Sequence, residues 1–220
     1  MSAARVDLAG QAVPVRKILC AGRNYAAHAA EMGSVPPAAP FLFLKPLTAL
    51  HTGGGEVRVP EALGLLHHEV ELVALLGGGG KNLSPGEAER LIAGYAVGVD
   101  LTLREEQERA KRSGGPWALG KGFDCSAPVG AFVPAAEAGD PLDMPIRLEV
   151  NGRARHDSRT SFMLFRPGEL LAYVSRFLTL EEGDLLFTGT PEGVGPLAGG
   201  DRVVARAGNL PELRFTIVRP

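Results

Sequence analysis

Glycine and proline punctuate this chain from end to end, 29 and 17 of them in 220 residues, scattered rather than gathered into a linker. Such a chain builds many short strands joined by turns, not long helices or two bodies on a tether. Apolar runs of strand length predict strands at VRKILC (15–20), FLFLK (41–45), HHEVELVALL (67–76), GYAVGVDL (94–101) and PVGAFVP (128–134). Further strands are expected at PIRLEVNG (145–152), DLLFTGT (184–190), DRVVARA (201–207) and ELRFTIV (212–218). Asn151-Gly152 suits a tight hairpin, because both residues tolerate positive φ. Helices are fewer. Ser84-Pro85-Gly86-Glu87 is a capping box with proline at the first helical position, opening a helix to about residue 93. LTLREEQERAKRSGG reads as a charged helix ended by Gly114, and PGELLAYVSRFLTL carries Leu170, Leu171, Val174 and Phe177 on one face. No internal repeat is present. The expected fold class is α+β, rich in β.

The formal net charge is -2, basic runs are absent and aromatics are sparse, which argues against a nucleic-acid partner. No segment approaches the ~18 apolar residues of a membrane span. The opening residues lack a signal-like apolar stretch. Cys20 and Cys125 have no CxxC spacing and read as small hydrophobes of a reducing compartment. A cytoplasmic protein is expected.

Two glutamates, Glu69 and Glu71, stand in the apolar segment LHHEVELVALLG, and Asp100 closes the run GYAVGVD. A strand's period of two puts both glutamates on one face, with Val73 and Leu75. If all three carboxylates meet in an interior, they need a cation, and all-oxygen ligands favour Mg²⁺ or Mn²⁺ over zinc. E-x-E alone is a weak signal, and two solvated glutamates beside an unrelated aspartate would look the same.

Other features stay open on local grounds. In NYAAHAAEMG, Asn24 can cap a short helix and Gly33 end it, which brings His28 and Glu31 to i,i+3 spacing. A carboxylate beside an imidazole raises its basicity, although such pairs are commonly surface contacts. Lys121, between Gly120 and Gly122, is either a buried ammonium or a turn lysine. Arg104 and Gln107 share a helical face that is ordinarily solvated. GGGGKN (77–82) lacks the P-loop's first Gly and its Ser/Thr after Lys, so it reads as a turn. TGTPEGVG (188–195) has glycines whose N–H groups are free to approach an anion, or it is a plain tight turn. His67 and His68 invite a metal reading, but the bland view is preferred.

Taken in order, GRNYAAHAAEMG, PFLFLKP, LHHEVEL, GYAVGVDLTLREEQ, GKGFD and TLEEGDLLFTGTPEGVGPL resemble the fumarylacetoacetate hydrolase family, from about residue 16 to 218. The short chain is most similar to its small acylpyruvase and oxaloacetate decarboxylase branch. The resemblance implies a mixed sheet rolled into a barrel-like core, with residues 1–15 a short leading segment and 16–220 one catalytic domain, assembled as a homodimer. It implies Mg²⁺ or Mn²⁺ on Glu69, Glu71 and Asp100, and a water-activating dyad of His28 and Glu31. Lys121, Arg104, Gln107, Thr190 and Arg23 are expected to meet the oxygens of a small 2-oxo acid.

The activity so implied is C–C hydrolysis of acylpyruvate-type 2,4-dioxo acids, with oxaloacetate decarboxylation through the same pyruvate enolate. Lys121 would stabilise that oxyanion. Isomerisation or hydration of unsaturated 2-oxo diacids is the alternative, and a non-catalytic 2-oxo acid binder a third.

Overall fold

A computed structural model describes residues 4–220. Its organising element is a mixed sheet curled into a half-barrel. The strands run in the order Phe41–Lys45, Ile18–Gly22, Leu185–Phe187, Val70–Leu76, Ile92–Val99, Ala127–Val129 and Leu50–Thr52. Neighbours are antiparallel except Ile18–Gly22 with Leu185–Phe187 and Ala127–Val129 with Leu50–Thr52, which are parallel.

Every residue of Val70–Leu76 is buried, because both faces of the sheet are covered. On one side Leu72, Ala74 and Leu76 pack into the larger core, shared with Ile146, Leu148, Val203 and Phe215 of a five-stranded sheet. That second sheet runs Arg153–Arg159, Pro145–Val150, Arg202–Ala207, Leu213–Val218, Gly55–Arg58. On the other side Val73 and Leu75 join Ile18, Cys20, Ala96 and Phe187 in a smaller core. An N-terminal hairpin, Arg5–Leu8 with Gln11–Pro14, contributes Val6 to that smaller core. Truncating a side chain such as Leu72 in so filled an interior costs about 2–5 kcal/mol.

Local signals decide several boundaries. Ser84 caps the Pro85–Glu89 helix with a full capping box. Gly114, at φ 68°, ends the Arg104–Ser113 helix. Asn151 and Gly152 take φ values of 52° and 75° in their hairpin turn.

Several expectations need correction. PVGAFVP is two short strands, Ala127–Val129 and Val133–Pro134, and DLLFTGT is a strand only over Leu185–Phe187. The helix opened by Ser84 stops at Glu89, four residues short, since Ile92 already begins a central strand. HHEVELVALL is two strands, Leu66–His68 and Val70–Leu76, broken at Glu69. Phe177 lies beyond the Pro167–Ser175 helix and is 63% exposed, whereas Leu170, Leu171 and Val174 are core. Asn24 does not cap a helix. Tyr25 holds that position, and the Asn24 amide donates to the Phe165 and Thr188 carbonyls and accepts from the Phe165 N–H.

Among the described residues no helix is long and apolar enough to cross a membrane. Cys20 and Cys125 are free thiols; Cys20 is buried and Cys125 only half-buried.

Candidate active site

Three chain crossings meet at one seam. A small sheet of Thr102–Leu103, Leu66–His68 and Gly195–Leu197 abuts the large one. Glu69 lies where the chain passes from the small sheet to Val70–Leu76, and Asp100 where it returns from Ile92–Val99 toward Thr102. The two breaks are in register, joined by the Asp100 N–H donating to the Glu69 carbonyl at 2.8 Å. The third crossing, 188–194, leaves Leu185–Phe187 and enters Gly195–Leu197. Broken ladders turn side chains into the gap, so Glu69, Glu71 and Asp100 come together, all buried, with a carboxylate oxygen of each within 4.8 Å of the others.

The cation these carboxylates need is not left to a metal alone, for the chain brings cations of its own. Lys121 Nζ donates to Glu69 and to Asp100, both at 2.6 Å, and to Thr102 Oγ1 at 2.8 Å. Lys45 Nζ lies 2.8 Å from the other Asp100 oxygen and is anchored by Ser126 and the Lys121 carbonyl. Arg104 Nη2 donates to Glu69 at 2.7 Å, Nη1 to Gln107 Oε1 at 2.5 Å, and Nε reaches His67 Nδ1 at 3.4 Å. Lys121 is therefore the buried ammonium, and Arg104 and Gln107 are buried rather than solvated. Lys45 escaped sequence reasoning. Its signal was a lone charge ending the apolar strand FLFLK.

These placements separate the carboxylates. Burial drives the Glu69 carboxyl up, but Lys121 and Arg104 outweigh it and hold it well below its ordinary range. Glu71 makes no ion pair among the described residues. Burial, and then Asp100 beside it, push its carboxyl well up, against one N–H from Gly189 at 2.7 Å. Burial works to lower the Lys121 ammonium, yet Asp100 and Glu69 leave it raised.

The Ala26–Glu31 helix brings His28 over this cluster. His28 is buried, and its Nδ1 lies 3.4 Å from Glu31. A carboxylate only accepts, so Nδ1 carries the proton and Nε2 is the basic nitrogen. Burial lowers the His28 pKa, partly offset by Glu69 and Glu31. Glu31 is held in turn by the Gly193 N–H at 3.1 Å. The glycine-rich loop thus does offer N–H groups to anions, and the anions are the protein's own Glu71 and Glu31. Gly189 and Gly193 sit at φ 96° and 105°, where other residues are strained, and a Cβ on Gly193 would collide with the Arg155 carbonyl.

Arg23, His28, Glu69, Glu71, Asp100, Arg104, Gln107, Lys121 and Thr190 line one cavity of about 20 Å³. That is room for a water or an ion, not for an organic acid. His67 touches Arg104, and His68 pairs with His156, so neither histidine joins the triad.

The fumarylacetoacetate (FAA) hydrolase C-terminal profile matches residues 17–218. The chain belongs to this family. Within it, the chain is 43% identical over 205 residues to the mitochondrial oxaloacetate tautomerase of Bos taurus, covering 93% of each chain. It is 46% identical over 191 residues to an oxaloacetate tautomerase of Escherichia coli K12, covering 86% of this chain and 87% of that one. Its fold superposes on the crystal structure of fumarylpyruvate hydrolase from Pseudomonas aeruginosa in complex with Mn²⁺ and pyruvate. There the TM-score is 0.94 and the identity 41%, covering 100% of this chain and 98% of that one.

The residues of this family member fit a hard divalent ion. Three carboxylate ligands converge, Glu71 lacks any cation of its own, and Thr190 Oγ1 is buried in the same cavity lining without a hydrogen-bond partner.

Proposed function

We propose that this chain is a divalent-metal-dependent enzyme of small 2-oxo acids, hydrolysing the C–C bond of acylpyruvate-type 2,4-dioxo acids and also carrying oxaloacetate to its enolate. The observation that carries the reading is a buried imidazole, its basic nitrogen free, and a buried ammonium lining one cavity with a carboxylate triad. Glu69, Glu71 and Asp100 would hold Mg²⁺ or Mn²⁺, which would supply a Lewis acid for the 2-oxo acid head of the substrate.

The chain's own side chains do the remaining work. The Thr190 hydroxyl and the Gln107 amide N–H groups are available to substrate oxygens, since Gln107 spends only its Oε1 on Arg104. Arg104 acts mainly through Glu69, and Arg23 meets the substrate farther out. Glu31 keeps the proton on His28 Nδ1, so Nε2 takes one from water, which adds to the distal carbonyl. The C–C bond then breaks, its electron pair passes to the pyruvate half as an enolate, and the positive charge of Lys121, whose three N–H groups go to Glu69, Asp100 and Thr102, steadies the developing oxyanion. Protonation at carbon releases pyruvate, with a carboxylic acid as the other product.

Oxaloacetate reaches the same kind of enolate by losing a C3 proton to His28, or by losing CO₂. The names of the two tautomerase relatives favour including it. Isomerisation or hydration of unsaturated diacids has less behind it, and a mere binder has no use for the His28–Glu31 dyad.

A homodimer belongs to the same proposal, and light scattering tests it. The free cysteines suit a reducing compartment such as the cytoplasm. The decisive assay is a panel of acylpyruvates, oxaloacetate and unsaturated 2-oxo diacids, each with Mg²⁺ and with Mn²⁺. Turnover of none of them would end the reading.

A further inference from the structure

The charges of Glu69, Glu71 and Asp100 are matched in number by resident cations. Arg104 Nη2 lies 2.7 Å from one Glu69 oxygen and Lys121 Nζ 2.6 Å from the other. Lys121 also lies 2.6 Å from one Asp100 oxygen, and Lys45 2.8 Å from the second. All six residues are buried, none more than 5% exposed. Even with every carboxyl ionised, three negative charges face three positive ones. At this depth solvent and salt screen an imbalance poorly.

A divalent ion among these carboxylates therefore leaves an excess of two positive charges. No other side chain lining the cavity offsets it, for the remaining charged ones, Arg23 and Lys111, are cations. Glu31 is given to His28 and the Gly193 N–H, and its side chain is 34% exposed. The compensating charge has to arrive with a ligand. The head of a 2-oxo acid carries one negative charge as the ketone. As the enolate it carries two, on the carboxylate and the enolate oxygen. Only the enolate restores the balance.

We propose that Lys45, Lys121 and Arg104 make metal binding depend on the charge of the ligand, so that a divalent ion is held tightly only together with a dianion and the loaded site favours the enolate over the keto acid. The proposal rests on the metal-dependent 2-oxo acid reading above and adds the source of its preference for the enolate. Holding the charge that develops better than the charge that enters is what lowers a barrier. Lys45, anchored by Ser126 and the Lys121 carbonyl, acts here through its charge on Asp100 and not by contact with substrate.

The test is binding, not turnover. Metal-stripped protein is titrated with Mn²⁺ at one fixed pH, alone, with oxalate and with oxamate, and free Mn²⁺ is read by its electron paramagnetic resonance signal. Oxalate and oxamate share a planar two-carbon frame and carry two charges and one; their association with Mn²⁺ in free solution is subtracted. Oxalate should tighten Mn²⁺ binding roughly 10- to 100-fold, and oxamate at least ~5-fold less. Ordinary chelation by itself would also couple ligand to metal, so the resident cations are varied next. Lys45→Met and Arg104→Gln should each bind Mn²⁺ alone about 10-fold more tightly than the parent and narrow the gap between oxalate and oxamate, with thermal melts confirming that they fold. Equal coupling by the two ligands in the parent, or folded variants that bind Mn²⁺ alone no more tightly, overturns the proposal. Should neither variant fold, the comparison of oxalate with oxamate in the parent decides. Failure of Mn²⁺ to bind with or without oxalate would instead remove the metal-dependent reading itself.

Discussion

Glu31 and His156 hold the same peptide bond from its two sides. The Glu192 carbonyl accepts from His156 Nδ1 at 2.8 Å, and the Gly193 N–H of that same unit donates to the Glu31 carboxylate at 3.1 Å. His156 is fully buried and its Nε2 faces His68 Nδ1 at 3.0 Å. A carbonyl only accepts, so His156 bears its proton on Nδ1, and its Nε2 takes the one on His68 Nδ1. The orientation of Glu31, and through it of His28, thus depends on two histidines outside the cavity.

His156→Ala leaves the Glu192 carbonyl and the His68 N–H without partners. A stability loss of about 1–3 kcal/mol per unpaired buried group is expected in denaturant melts. Hydrolysis should fall further than decarboxylation, because only hydrolysis needs a base for water. His156→Gln, which can still donate an N–H, should recover part of the rate. Equal loss of both reactions, with no recovery, would argue against the linkage.

Glu71 and Asp100 should part company when the metal is removed. Alanine at either is expected to abolish turnover and weaken Mg²⁺ and Mn²⁺ binding, as measured by titration calorimetry. In metal-free protein, however, Asp100→Ala strands Lys45 as a buried charge and leaves Lys121 to Glu69 alone, at a cost of roughly 3–5 kcal/mol. Glu71→Gln removes a carboxyl whose folded pKa lies well above 4.5. A raised folded pKa means its stabilising contribution is complete below the unfolded value and is lost as pH rises toward the folded one. Metal-free Glu71→Gln should therefore melt higher than the parent at pH 8, with the gap closing toward pH 4.

Lys121→Met removes the buried positive charge proposed above to steady the oxyanion of both hydrolysis and decarboxylation. Both rates should drop together, by roughly 10²-fold or more. Single-turnover assays on an acylpyruvate and on oxaloacetate settle it, and a loss confined to one reaction would contradict a common enolate.

Glu31→Gln should lower hydrolysis by ~10²–10⁴-fold while metal affinity holds. The pH profile gives a second readout. His28 already titrates below 6.5 because it is buried, and Glu31 works to raise it. The acid limb of kcat/KM should lie below 6.5 in the parent and move lower still in the variant. An unmoved limb would assign the titration to another group.

Much of this site was written in the sequence because strand periodicity and ordered motifs are local. Glu71, Val73 and Leu75 do share one face, and Gly114 and Ser84 delimit their helices as turn and cap chemistry requires. What stayed hidden was long-range. Nothing near Lys45 says that it faces Asp100, 55 positions on, and nothing near Asn24 says that it grips Phe165 and Thr188. Glu69 defeated the period-two argument in part, because it sits in a break between two strands rather than within one. The short strands Leu50–Thr52 and Gly195–Leu197 form by pairing with partners supplied from elsewhere in the chain, so their own residues carry little signal.

Leu185–Phe187 lies in the middle of the large sheet, between Ile18–Gly22 and Val70–Leu76, although it is encoded near the end of the chain. A ribosome therefore releases most of the polypeptide before those two strands can be bridged. Until then the N-terminal third holds an open sheet edge that is apolar on both faces. Folding of this protein is consequently a late, cooperative event with long loops to close, and the nascent chain is most prone to aggregate just before it can become an enzyme.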